Sequence, residues 1–147
     1  MTVTVRPIDL RDADAWRRLF GDYGVFYETQ FGDEVLDHVW GLLTTDGSGI
    51  DALVAEIDGV VVGIAHYRSH PDTFSTGRDW YLDDLFTTPA ARGAGVASAL
   101  IGRLTEMARA TGGGTLRWIT AATNAPAQRL YDRLATRTTW VTYEVRA

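Results

Sequence analysis

The chain has 147 residues and a formal net charge of −5, with 46% hydrophobic and 22% charged residues. Those are the proportions of a single globular domain, 1–147, and the acid excess argues against a nucleic-acid partner. Cysteine is absent and all fourteen basic residues are arginine, which excludes disulfides, thiol nucleophiles, cysteine-bound zinc, Schiff-base chemistry and the lysine-dependent P-loop.

In chain order, "TVTVRPI" alternates and predicts a first strand. Residues 10–27 predict a helix, with Leu10, Trp16, Leu19, Phe20 and Tyr23 near helical spacing. "DEVLDHVWGLL" predicts a second helix. "IDALVAEI" and "VVVGIAHYRS" read as strands joined by Asp58-Gly59, a strong hairpin signal. After a polar loop, "WYLDDLFTT" reads as a fourth strand. Beyond Pro89 the period changes: Val96, Leu100, Ile101, Leu104 and Ala108 share one helical face, and the helix stops before the glycines at 112–114. "TLRWITAAT" predicts a fifth strand, "APAQRLYDRLA" a helix capped by Asn124, and "TWVTYEV" a final strand. The fold class is therefore α/β. No stretch has the length of a membrane span or the apolar core of a signal peptide, so a cytoplasmic protein with no membrane partner is expected.

Charge is uneven. Residues 1–87 hold sixteen acids and six arginines, a net −10; residues 88–147 hold three acids and eight arginines, a net +5. The asymmetry suggests two ligands of opposite sign, or simply two solvated surfaces.

The stretch "RGAGVAS" lies between a strand and an amphipathic helix. A helix N-terminus offers unpaired N–H groups and the positive end of the macrodipole, and glycines let an anion approach the backbone. A dinucleotide-binding fingerprint fits poorly: Ser98 stands where its third glycine would be, and "GGGTLRW" lacks the acid expected farther on.

Arg92-x-x-Gly95-x-Ala97 resembles the R/Q-x-x-G-x-G/A signature of the GNAT superfamily of acyl-CoA N-acyltransferases. "VVVGIAHY", "WYLDDLFTTPAARGAGVASALI" and "TNAPAQRLYDRLA" follow in that family's order. The Asn124…Tyr131 spacing and the acid pair in the fourth strand are similar to the diamine (spermidine/spermine) acetyltransferases. The resemblance implies a GNAT-like fold: a mixed, mostly antiparallel twisted sheet of about six to seven strands flanked by about four helices. It implies that Arg92, Gly93, Ala94, Gly95, Val96, Ala97 and Ser98 hold the coenzyme A diphosphate. The backbone of Leu85, Phe86 and Thr87 would pair with the pantetheine arm, with Asn124 and Ala127 beside it. The implied reaction is direct attack of a primary amine on acetyl-CoA in a ternary complex, with no metal.

Such chemistry needs a base for the ammonium, donors for the thioester oxygen and an acid for the departing thiolate. By resemblance Tyr131 is the acid, although periodicity alone makes it a core tyrosine. Asp83 and Asp84 are unusual in a strand. Being adjacent, they face opposite ways unless a bulge intervenes. The resemblance favours Asp83 on the amine side, as base or cation binder, with Asp84 structural or a second contact. Tyr27, Glu28 and His66 are candidates for the acceptor pocket. His66 and His70 sit on a strand and a loop, an arrangement that does not suggest zinc.

A small cationic amine or polyamine is the expected acceptor, because residues 9–37 carry eight acids and three arginines. Protein lysine or N-terminal acetylation and a non-catalytic acyl-CoA sensor are the alternatives. The apolar final strand, with Trp140 and Tyr143, predicts a homodimer.

Overall fold

The structure, a computed structural model, describes residues 2–147. Strand β1 (Val3–Pro7) leads through a 3-10 turn (Leu10–Asp12) into helices α1 (Ala13–Phe26) and α2 (Asp33–Leu43). Strands β2 (Asp51–Ile57), β3 (Val60–Pro71) and β4 (Arg78–Thr87) follow, then a second 3-10 turn (Pro89–Ala91), α3 (Val96–Ala110), β5 (Leu116–Arg117) and α4 (Ala125–Leu134). The sheet runs β1-β2-β3-β4-β5; its first four strands pair antiparallel and β5 joins β4 in parallel.

Local chemistry sets these boundaries. Asp58 and Gly59 both take positive φ, +52° and +77°, as the tight β2–β3 turn requires. The expected helix at residue 10 begins instead as a 3-10 turn, because Asp9 and Asp12 close a capping box there: Arg11 N–H donates to Asp9, and Asp9 N–H to Asp12, each at 2.9 Å. The Arg6 guanidinium grips both Asp12 oxygens at 2.7 and 2.8 Å and also reaches Glu56. That network ties β1, the turn and β2 together, and the hydrogen bond from Arg6 holds the Asp12 carboxyl below its usual range.

The central strands are covered on both faces. Leu53, Ala65 and Leu82 pack with Val96, Leu100 and Leu104 of α3; Val54, Ile64 and Phe86 pack with Trp16, Leu19 and Phe20 of α1. Gly63 makes the first contact possible. A Cβ there would stand 2.5 Å from Val96 Cγ1, so glycine lets the first turn of α3 rest directly on β3.

Two expected strands differ from this outcome. The fifth shrinks from nine residues to Leu116–Arg117, because Trp118 onward leaves the sheet. The final strand does not form: residues 136–147 have no regular structure and, among the described residues, no backbone hydrogen-bond partner. The sheet therefore has five strands rather than six or seven. Among the described residues, no helix is long and apolar enough to cross a membrane.

Candidate active site

A bulge in β4 organises the site. His66 pairs with Asp84 and Tyr67 with Leu82, which leaves Asp83 as an extra residue on β4. One inserted residue reverses the alternation of side chains. Trp80 and Leu82, before the bulge, pack on the α3 side; Phe86, after it, packs on the α1 side. The bulge, expected only as an exception, therefore sets which layer Asp84 reaches. Asp83 faces the cleft, its oxygens 3.0 and 3.2 Å from Arg68 Nε. Asp84 turns under α1, with Oδ2 2.9 Å from His66 Nδ1.

The cleft follows from the same disruption. β5 meets β4 only at Trp80↔Leu116 and Tyr81↔Arg117. Beyond the bulge the strands diverge, and among the described residues the β4 edge from Leu82 to Thr87 has no strand beside it on that side. The gap is a cavity of about 610 Å³ walled by α1, β4, the start of α3, the segment after β5, and α4.

One end of the cavity is suited to an anion. Gly93 and Gly95 both sit at φ +82°, and a Cβ at either would project into open space. Gly95 is the N-cap of α3, no side chain caps that terminus, and its first turn carries no acid. The N–H groups of that turn are therefore left for a ligand. Arg92, Gly93, Gly95, Val96, Ala97 and Ser98 line this end, whereas Ala94 packs against the core instead. The Arg92 guanidinium lies 5.9 Å from the ring centres of both Phe26 and Phe86, which positions it at the rim. An open strand edge leading to an uncapped helix N-terminus fits a ligand with an amide-bearing arm and a diphosphate, which is the construction of coenzyme A.

α4 supplies the opposite wall. Asn124 Oδ1 accepts from Ala127 N–H at 3.3 Å, and Asn124, Ala127 and Tyr131 all line the cavity. Tyr131 stands edge-on to Trp118, ring centres 5.3 Å apart. Burial raises its phenol above the ordinary tyrosine value, with Tyr27 adding to the effect. The group thus keeps its proton at neutral pH and can donate it.

Leu85, Phe86, Thr87 and Tyr27 also border the cavity, while Glu28 and Asp84 do not. His66 is 0% exposed, so it stands behind the wall and not in it. Tyr23, Phe26, Trp118 and Arg133 are further lining residues; the family resemblance puts Tyr23 and Phe26 where its first helices border the acceptor site, but nothing local in the sequence marks Trp118 or Arg133. Tyr23 lies on the same helical stripe as Trp16 and Phe20 and reads as core. Trp118 reads as one alternating strand position among several. Among the described residues, no cluster of histidines and acids could hold a metal ion.

A bulged strand, a splayed partner and a helix N-terminus aimed into the gap form a cleft suited to an anionic, extended ligand. Residues 13–135 match the Acetyltransferase (GNAT) family, and the chain belongs to that family. It is similar to D-amino-acid N-acetyltransferase HPA3 of Saccharomyces cerevisiae, with 29% identity over 97% of this chain and 89% of the relative. The ribosomal-protein-alanine N-acetyltransferase of Brucella melitensis biovar Abortus 2308 superposes with a TM-score of 0.81 at 25% identity, covering 99% of this chain and all of that one. AAC(6')-Iy, in complex with the bisubstrate analogue CoA-S-monomethyl-acetylneamine, has the same fold: TM-score 0.84, 19% identity, coverage of 100% and 99%. The chain is accordingly an acetyl-CoA-dependent N-acetyltransferase.

Proposed function

We propose that the acceptor is a small cationic primary amine that enters between α1 and β4 and meets Asp83. Acetyl-CoA supplies the activated acetyl group. The glycine loop and first turn of α3, Arg92 to Ser98, hold its diphosphate, and the edge Leu85–Thr87 holds its amide-bearing arm. Tyr131 gives a proton to the departing thiolate. The observation that carries this reading is the pairing of opposed walls: a protonated, half-buried tyrosine on α4 across one cavity from a carboxylate on β4.

Ion pairing narrows the acceptor. Of the acids in residues 9–37, Asp12 is held by Arg6, Asp33 and Asp37 by Arg17, and Asp9 by Arg11. None of the eight acids in that stretch lines the cavity. That surplus therefore lends a polyamine no support over a monoamine, and the small cationic amine is kept as the acceptor. An amino-acid acceptor is a second reading, favoured by the D-amino-acid activity of the yeast relative. Coenzyme A release should be measured across monoamines, diamines, polyamines, D-amino acids and peptides with N-terminal alanine. Turnover highest with monoamines supports the first reading. Preference for D-amino acids or peptides overturns it, and coenzyme binding without turnover on any amine leaves only a sensor.

The tail has a role in assembly under the same reading. Trp140, Val141, Tyr143 and Val145 are 77–95% exposed, and Ala135 leaves α4 in an extended conformation, φ −150° and ψ −178°. The link "ATRTT" contains no glycine, proline or Asx residue with which to turn back. A strand-patterned tail that is not paired with its own open β5 edge suits the β5 edge of a second copy, with the exchange reciprocal. Light scattering at micromolar concentration should give a dimer, and deletion of residues 138–147 a monomer. A monomeric full chain overturns the proposal.

A further inference from the structure

Behind the β4 wall lies a chain of buried polar groups that anion binding and Tyr131 leave unused. Trp16 Nε1 lies 2.9 Å from His66 Nε2, and His66 Nδ1 lies 2.9 Å from Asp84 Oδ2. An indole nitrogen can only donate, so His66 Nε2 must accept. The single proton of the neutral ring is then on Nδ1 and is donated to Asp84. The ring is fixed on its other faces as well, edge-on to Phe20 at 4.8 Å between centres and tilted on Trp16 at 6.0 Å. The Tyr23 phenol also feels the Asp84 charge, and its ring stacks at 5.8 Å between centres on Phe20, the same ring that meets His66 edge-on. Tyr23 in turn lines the cavity.

We infer that Tyr23 and Asp84 form the proton exit for the incoming ammonium, and that His66, oriented by Trp16, is the positioning residue that aims Asp84. The inference rests on the N-acetyltransferase reading. The ammonium gives a proton to the Tyr23 oxygen as the Tyr23 hydroxyl gives its own to Asp84. The amine is left with its lone pair, Tyr23 is regenerated, and Asp84 ends as the neutral acid. Burial and the Asp84 charge together hold Tyr23 far above the ordinary tyrosine value, so it serves as a carrier and not as a phenolate.

Three features separate this arrangement from structural packing. The Asp83 oxygens are both committed to the permanent cation of Arg68, whereas Asp84 meets a neutral ring donor. Asp84 reaches the α1 side only because Asp83 is inserted before it. Proton acceptor and proton donor also fall on opposite walls: Tyr23 extends from α1, Tyr131 from α4, and each borders the same cavity.

The test compares two acceptors of one skeleton, a primary amine that is an ammonium at pH 7 and its aminooxy counterpart, which is already unprotonated. Asp84→Asn and Tyr23→Phe should lower the ratio of ammonium to aminooxy kcat/KM about 100-fold or more, the scale of general base catalysis. His66→Gln, which can still accept from Trp16 and donate to Asp84, should keep more of that ratio than His66→Leu. Equal losses on both acceptors overturn the inference, as does a selective loss confined to Asp83→Asn. A readout without turnover is nitrogen NMR of labelled histidine. His66 should carry its proton on Nδ1, and the opposite tautomer overturns the proposed chain. If the wild type acetylates no amine, the functional reading fails, while the NMR result still decides the hydrogen-bond chain.

Discussion

The α1–β4 wall of the cleft is packed from behind, while the α4 wall opposite it is packed thinly. α1 buries Trp16, Leu19, Phe20 and Gly24, and β4 lies between two helical layers. α4 has no fully buried residue, and the β5 strand that leads to it pairs over two positions. Hydrogen-bonded groups on the first wall are held before any ligand arrives. The second wall depends more on what fills the cleft and on what covers the tail. Under the proposed function, the α1–β4 wall is built before either substrate binds, and the α4 wall, which carries Tyr131, consolidates as the cleft fills.

The largest expected effect falls on the thin wall. Tyr131→Phe should lower kcat by about 10²–10⁴-fold, the usual worth of general acid catalysis, with little change in coenzyme affinity. Single-turnover kinetics can establish that chemistry is rate-limiting in the variant. Wild-type turnover under that condition would show that Tyr131 packs against Trp118 and does no more.

Stability should divide the walls in the other direction. Leu100 of α3 is 0% exposed beneath the sheet, whereas Leu134 at the end of α4 is 41% exposed. Leu100→Ala should cost about 2–5 kcal/mol in urea unfolding, transfer and cavity terms together. Leu134→Ala should cost below about 1 kcal/mol, as for a surface position. A comparable loss at Leu134 would mean that α4 is as firmly packed as α3, and the contrast would collapse.

Gly95→Val tests the end of the cleft where both walls meet α3. A β-branched residue at φ +82° is strained by about 1–2 kcal/mol. Relieving that strain would turn the N–H groups of the first turn away from the anion. Coenzyme A binding measured by calorimetry should weaken roughly tenfold, since about 1.4 kcal/mol corresponds to one decade. Unchanged affinity would place the diphosphate elsewhere.

Much of this was legible in the sequence, and the parts that were not share one cause. The Asp58-Gly59 turn, the α3 stripe and the glycine loop are local patterns, and local chemistry settles each. The bulge at Asp83 is a relation between β3 and β4, so adjacency predicted opposed aspartates but not which layer either would reach. His66 belongs to a strand whose pattern is apolar over most of its length, and only pairing with Trp16, fifty positions away, shows that it stands behind the wall. The final strand failed for a related reason: its alternation is real, but a strand also needs a neighbour, and residues 136–147 find none among the described residues.

Alkaline titration gives the smallest and most discriminating contrast. Tyr23, Tyr67 and Tyr131 are raised above the ordinary tyrosine value near 10, in each case chiefly by burial. Tyr67, beneath α3, is pushed up to about 12. Tyr23 is raised further, because the Asp84 charge adds to burial. Tyr131, on the thin wall, is raised without such a carboxylate among its causes. The folded protein therefore keeps protons that the unfolded chain releases near pH 10, and stability is fully present below that pH and falls as pH rises toward 12. Phenolate absorbance should show these three tyrosines lagging behind a free phenol, with Tyr131 the first of them to titrate. Coenzyme A should delay Tyr131 further by excluding water from its wall, and should leave Tyr23, already enclosed by Phe20 and Asp84, almost unchanged. The Tyr131→Phe and Tyr23→Phe variants assign the two phases. If coenzyme shifts Tyr23 and not Tyr131, then the acceptor side is the wall that consolidates, and α1 and α4 must exchange roles.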